Sequence, residues 1–388
     1  MPDTDGPLAG TRVVELGKMI SAPYCGRLLA DLGAEVIKVE SSLGDETRHI
    51  PPWYDGTGTT FRLLNRNKRS VTLDLKSEGG AETFRGLVRR SDVLIENLRP
   101  GALGRLGLAP ETLLAESPGL IVLSISGFGQ YGPWTQHAAY DIVAQAMSGL
   151  MAVTGSADGD PVRVGVSMGD VLPGALGAFA VASAVVRQRA TGRGGRIDLA
   201  MLDSLLSSME SVAMRALHSD QPLVPTGTHH ALSAPYGVFQ AKDGGVVIAV
   251  VSDALFRKLG DVLGHPEWSG DPRFVSDERR GQNRVALQAE IESALAGRPA
   301  VEALAALQAA GIPSAPVLDP REALRSEHAE ARGLTPTEPD GFTTLGMGFE
   351  ITGYRPPLRI APELGHDNHL LEEWLAEPVR NGDQHDAD

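Results

Sequence analysis

The sequence predicts an α/β protein, a Rossmann-like doubly wound large domain joined to a smaller α+β domain. Three observations lead there. Short β-branched runs alternate with helical patterns over roughly the first 200 residues, the signature of βαβ units and a parallel sheet. A hairpin-like pair of strands with a "KDGG" turn follows only later, in "YGVFQAKDGGVVIAV". The chain of 388 residues is also long for one domain.

The elements follow in order. "RVVEL" and "EVIKV" are strand-like, and the stretch between them reads as a helix, with Ser21 as its cap, Pro23 in its first turn and Gly33 closing it. "SVTLDL" precedes a helical "EGGAETFRGLVRR", in which Phe84, Leu87 and Val88 share a face, and "DVLIENL" comes next. "LIVLSISG" and "GRIDLAML" complete the strand-like runs. After the helical "MLDSLLSSMESVAMRAL" the pattern changes, so the large domain is expected over 1–215 and the small one over 225–325. The terminal 326–388 is expected to return to the large domain.

Composition narrows the function. The net charge of −14 argues against wrapping nucleic acid or an anionic membrane, so any anionic ligand must meet a local basic cluster. A single cysteine, Cys25, excludes an internal disulfide framework and fits a reducing cytoplasm. The opening "MPDTDGPLAG" has no basic stretch leading into an apolar run, so a soluble cytoplasmic protein is expected. The apolar run 171–186 is too short for a bilayer and contains Pro173.

Familiar chemistries find little footing. The first βα turn, "LGKMISAP", lacks the three glycines that bring a backbone close to a pyrophosphate, which argues against a dinucleotide. No GxxxxGK[ST], GxSxG or HExxH pattern occurs. His229 and His230 are adjacent in "GTHHALSAPYG"; neighbouring side chains point apart, which suits a loop or a substrate contact better than a metal. Basic residues instead collect where strands exit. Lys76 follows the third strand, and "ENLRPGALGRLG" after the fourth places Asn97, Arg99 and Arg105 to meet a phosphorylated ligand. Asp170 is the one charge in "GVSMGDVLPGALGAFAVASAVV". With Pro173 marking a helix start and Gly169 and Gly174 leaving room for a bulky group, it reads either as a helix cap or as a nucleophilic carboxylate.

Taken together, "LAGTRVVELGKMISAPYCGRLLADLGAEVIKVE", "NRNKRSVTLDLKSEGG", "SDVLIENLRPGALGRLGL", "SISGFGQYGPW", "GDVLPGALGAFAVASAVV" and "HHALSAPYGVFQAKDG" resemble, in family order, the class III coenzyme A-transferases. Those enzymes share a fold with α-methylacyl-CoA racemases. The resemblance implies an acyl-CoA and a small carboxylic acid as ligands, with no metal or other cofactor, and a homodimer whose protomers interlock. It makes Asp170 the catalytic carboxylate, carrying an aspartyl anhydride and then an aspartyl-CoA thioester. It puts CoA against Ile20, Ser21, Leu73, Asp74, Leu75, Lys76, Asn97, Leu98, Arg99, Arg105 and Tyr140, and leaves His229 and His230 for the substrate. Two departures stand out. Ser41 and Ser42 follow Glu40 where some members carry an arginine, and the glycine-rich shielding loop of formyl-CoA transferase has no counterpart. A racemase is the nearest rival, but Tyr140 stands where its histidine would be, leaving only His137 nearby. A CoA-binding protein without chemistry is the third reading.

Overall fold

The computed structural model describes residues 6–380. Residues 1–5, where the sequence shows no leader pattern, and residues 381–388 lie outside the described residues. The chain divides into two compact units: Met1–Leu150 with Arg163–Ser219 and His328–Asp388, and Met151–Val162 with Asp220–Glu327. The excursion 151–162 therefore groups with the second unit rather than with the flanking sequence. The backbone bond from Gly227 N–H to Gly155 O, 2.9 Å, lies within that unit.

The first unit is built on six parallel strands: β1 Arg12–Leu16, β2 Glu35–Glu40, β3 Arg69–Thr72, β4 Val93–Glu96, β5 Ile121–Ser126 and β6 Gly195–Ala200. Their spatial order is 3-2-1-4-5-6, the doubly wound arrangement the alternating pattern predicts. β1 and β4 are neighbours far apart in sequence, so the order reverses between them and their carboxyl ends form the switch point.

Helices cover both faces. On one, α1 (Ser21–Asp31) packs with Val13, Val93, Ile121 and Leu123 of the sheet; on the other, α2 (Glu78–Arg89) buries Phe84, Leu87 and Val88 with Val14, Ile37 and Trp374. Gly33, at φ +94°, ends α1, with its N–H on Ala30 O, as its position in the sequence predicts. The terminal segment also seals the exposed edge strand. Asp367 accepts from Ser70 N–H and Asn368 from Thr72 N–H, at 2.9 and 2.8 Å.

Two further helices matter for function, α3 (Asp141–Met147) and α4 (Met168–Thr191). α4 is long and apolar enough to cross a membrane by length and composition alone. One side of it, carrying Gly177, Ala178, Val181 and Val185, is buried against α1 and the sheet. The free thiol Cys25 lies in that same layer, buried and with its pKa pushed far up by desolvation, which leaves it inert packing.

The second unit carries the hairpin β7 (Tyr236–Gln240) and β8 (Gly245–Ala249), joined by residues 241–244 and extended by antiparallel β9 (Ser314–Pro316). Its core gathers Phe239, Ile248, Phe256, Trp268, Phe274 and Ile291. Arg280, fully buried there, donates to Ala234 O and Phe274 O, so it anchors the approach to β7.

Candidate active site

The switch point is a tightly braced turn. After β1 the chain passes Gly17, Lys18 and Met19 before α1 begins, and Met19 takes φ +64°, an uncommon conformation for a residue with a side chain. Asn97, just beyond β4, clamps it. Its amide oxygen accepts from Lys18 N–H (3.0 Å), while its amide nitrogen donates to Lys18 O (2.9 Å) and to Ser21 Oγ (3.2 Å). Ser21 is thus the first residue of α1, not its cap. Ile20 holds the cap position, where its hydrocarbon side chain can accept no hydrogen bond, and Ser21 Oγ is turned towards Asn97. From the other side, Asp45 accepts from Met19 N–H (3.3 Å).

Beneath this turn lies a buried ionic floor that the sequence did not announce. Lys38 Nζ meets Glu15 at 3.1 Å and Asp45 at 3.0 Å and donates to Gly17 O at 2.7 Å. Lys68 Nζ meets the other Glu15 oxygen at 2.7 Å and donates to Pro23 O and Asn65 Oδ1, both at 2.9 Å. Burial and the nearby Lys38 push the Lys68 amine down to about 8, against the pull of Glu15. Arg48 forks onto both oxygens of Glu40, at 2.9 and 2.6 Å, and lies 3.7 Å over the Phe61 ring. Arg48 is therefore committed inside the fold, while Ser41, Ser42 and Leu43 after β2 are exposed.

The basic strand exits fall into two small cavities. Leu75, Lys76 and Arg105 line one of about 610 Å³, and Arg99 lines another of about 250 Å³ with Arg196 and Gln130. Leu73, Leu75 and Leu98 pack partly against the α2 core, and Asp74 accepts from Lys76 N–H at 3.0 Å, shaping the loop. Glu96, whose carboxyl burial pushes up, accepts from Leu98 N–H at 2.8 Å and holds 97–99 in place. Tyr140 is exposed and directly precedes α3. His137 packs edge-on against Phe128, ring centres 6.0 Å apart.

Asp170 stands in the first turn of α4, and the sequence reading of this helix needs three corrections. The helix begins at Met168, so Pro173 lies inside it, and Ser167, not Asp170, takes the cap position. Neither glycine leaves an open space. A Cβ on Gly174 would come within 2.7 Å of Ser21 O, and one on Gly169 within 3.1 Å of Asp141 O and Oδ1. Both glycines serve close packing instead. Since Gly174 follows Asp170 by one helical turn, the two share a face, and Asp170 lies one turn beyond the point where α4 meets Ser21. Asp170 and the switch-point turn are brought near each other by that glycine.

No described residue forms a hydrogen bond or ion pair with the Asp170 carboxylate. Its pKa is pushed up to about 6, first by burial and then by the negative charge of Asp141, with Arg163 pulling the other way. Sequence reasoning passed over Asp141 and Arg163. The only hint of Asp141 was a carboxylate opening a helix directly after Tyr140.

His229 and His230 lie in the second unit and diverge, as neighbouring side chains tend to. The His229 ring sits against Gly237 and edge-on to Phe239 at 5.4 Å, and burial followed by Arg284 lowers its pKa. His230 stacks on Tyr236 at 5.1 Å, and its Nδ1 accepts from Leu232 and Ser233 N–H. Among the described residues, no group of three or more His, Cys, Asp or Glu is set to hold a metal ion.

A doubly wound sheet with a braced switch point and a half-buried, unpaired carboxylate beside it is the arrangement of an enzyme whose reacting group is an acid side chain. Residues 8–368 match the family model for CoA-transferase family III. The chain is 39% identical over 377 residues to acetyl-CoA:oxalate CoA-transferase of Acetobacter aceti, covering 96% of this chain and 97% of that one. It is 35% identical to a succinate–glutarate CoA-transferase of Agrobacterium fabrum, with coverage of 96% and 97%. A crystal structure of a CaiB/BaiF family protein from Brucella suis superposes with a TM-score of 0.85 at 35% identity, covering 96% of this chain and all of that one. The chain belongs to the family III CoA-transferases, enzymes that exchange CoA between an acyl-CoA and a carboxylic acid.

Proposed function

We propose that Asp170 carries the exchange as a covalent nucleophile. Its carboxylate attacks the donor thioester carbonyl; the C–S bond breaks, CoA leaves as thiolate and a mixed aspartyl anhydride remains. The thiolate then attacks the Asp170 side-chain carbonyl carbon, releasing the donor acid and leaving an aspartyl-CoA thioester. The acceptor carboxylate attacks that carbon to form a new anhydride and free thiolate, and attack of the thiolate on the acceptor acyl carbon yields the product and restores Asp170. Every step substitutes carboxylate for thiolate or the reverse, so the sequence balances without a redox partner or metal.

The observation that carries this reading is the unpaired Asp170 carboxylate, one helical turn from the Ser21 contact of α4. Near pH 6 and above it is ionised, and its raised proton affinity makes it a better nucleophile than an ordinary aspartate. CoA lies along the strand exits, with Ile20 and Ser21 near the thiol end and Lys76, Arg99 and Arg105 towards the phosphates. Relatives that act on oxalate and glutarate make short dicarboxylates the acceptors to try first, with acetyl-CoA and succinyl-CoA as donors. The working form is a cytoplasmic homodimer, interlocked as in the family. Leu176, Phe179 and Val186 form an exposed apolar stripe on α4, with Phe179 71% and Val186 70% accessible, which suits burial by a second copy.

Asp170→Ala should lose CoA exchange by at least about a thousandfold while still binding CoA. Hydroxylamine added with acetyl-CoA should convert Asp170 to a hydroxamate, read as a mass change on its peptide. Turnover by the alanine variant would remove the nucleophile. Exchange of an α-hydrogen with deuterated water, with Asp170 unmodified, would favour the racemase reading.

A further inference from the structure

The first turn of α4 lacks a cap of its own. Ser167 occupies the cap position, but its Oγ accepts from none of the turn's N–H groups; Met168 N–H reaches Val166 O, and Asp170 and Val171 N–H reach Ser167 O, which leaves Gly169 N–H in need of an acceptor. One comes from another helix. Asp141, the first residue of α3, accepts from Gly169 N–H through Oδ1 at 2.8 Å. Gln145, one turn along α3, donates to the same oxygen at 2.8 Å and accepts from Val164 N–H at 3.0 Å. Arg163 donates to Asp141 Oδ2 through Nε at 2.8 Å, and to Ser167 Oγ at 3.0 Å. Asp141 is itself nearly buried, with a side chain 9% accessible.

Resting on the reading of Asp170 as the nucleophile, we propose that Asp141 is its positioning residue. Asp141 caps the Asp170 turn from a neighbouring helix, is held there by Arg163 and Gln145, and so fixes where the Asp170 carboxylate points while keeping a second negative charge beside it. Gly169 is what permits this approach, since a Cβ there would sit 3.1 Å from Asp141 Oδ1. The arrangement explains a feature that capping alone does not: the carboxylate next in sequence to the capped N–H is the one left without a partner.

The charge acts on Asp170 as well as the hydrogen bond. Other titratable groups on the elements packed against α4 are Tyr24, Cys25, Arg27 and Asp31 of α1, Arg196 and Asp198 of β6, and Asp203 in the helix after it. Only Asp141 and Arg163 bear on the Asp170 proton, Asp141 holding it and Arg163 loosening it. Removing the Asp141 charge therefore moves the acid limb of the rate profile to lower pH.

The test compares Asp141→Asn, Asp141→Ala and Gly169→Ala with wild type, using acetyl-CoA and hydroxylamine to read acylation of Asp170 and equilibrium binding to read CoA affinity. Asp141→Asn keeps an acceptor for Gly169 N–H and should hold much of the rate, with its acid limb lowered by about one pH unit. Asp141→Ala and Gly169→Ala should each lose about a hundredfold in acylation rate, with CoA affinity changed less than about threefold. Circular dichroism identifies a variant that fails to fold, and the isosteric asparagine is the one to rely on in that case. A wild-type acid limb in Asp141→Asn together with wild-type acylation in Gly169→Ala would overturn the proposal. Turnover by Asp170→Ala would instead overturn the reading beneath it, so the two failures are distinguishable.

Discussion

Two regions of the first unit bury charge, and they do so in opposite ways. Under the switch point, Glu15, Asp45 and Glu40 face Lys38, Lys68 and Arg48, three negative groups against three positive, and nearly every polar atom has a partner. At the start of α4, Asp141 is likewise satisfied by Arg163, Gln145 and Gly169, but Asp170 beside it is left open. A fold that compensates six buried charges a short distance away has the means to compensate a seventh. Leaving it bare is what the proposed role of Asp170 requires, whereas the ionic floor gives rigidity to the switch-point turn.

The contrast breaks first, and hardest, at the floor. Lys68→Met leaves one buried carboxylate in excess and should cost about 3–5 kcal/mol of stability, measured by urea unfolding. Lys68→Met combined with Glu15→Gln should recover part of that loss. Equal stability of the single and double variants would mean that the floor does not act as a balanced unit. Less drastic is Asn97→Ala, which removes the three hydrogen bonds bracing Lys18 and Ser21. With each bond worth about 1 kcal/mol, KM for the acyl-CoA should rise by about tenfold or more while the hydroxamate still forms on Asp170. An unchanged KM would show that the turn holds its shape without its clamp.

How much of this was legible follows the range of the interactions. The doubly wound sheet was readable because each βα unit is local and its apolar period repeats, and Gly33 closed α1 for a reason visible in one residue. Asp170 stood out because a lone charge in an apolar helix needs an explanation. Its helix start was misjudged because Pro173 favours a first turn, yet tolerates an interior place when earlier residues find other acceptors. Asn97 was read as a ligand contact only, and the bracing of Lys18, 79 residues away, by its amide went unseen. Asp141 and Gly169 are 28 residues apart, and no periodicity marks such a pair. Gly169 and Gly174 were taken as room for a ligand because a glycine looks the same in sequence whether a substrate or a neighbouring helix approaches it.

The smallest expected effect examines the open carboxylate itself, through stability rather than rate. The pKa of Asp170 is raised from the ordinary aspartate value to about 6 in the folded protein, so the folded state binds this proton more tightly than the unfolded chain does. Its contribution to stability is therefore full below the ordinary value and lost as pH rises through 6. At pH 7.5 the folded protein bears the whole cost of ionising a half-buried acid, and Asp170→Asn, neutral at every pH, is spared it. After allowance for partial exposure, the asparagine variant should be more stable than wild type by about 1–2 kcal/mol at pH 7.5. The advantage should shrink steadily towards pH 4.5, because wild-type Asp170 is then protonated and matches the amide. Thermal unfolding of both proteins at the two pH values measures this. A pH-independent difference, or a less stable asparagine variant at pH 7.5, would mean that the carboxylate is stabilised by its surroundings like those of the floor, and the distinction between the two regions would be lost.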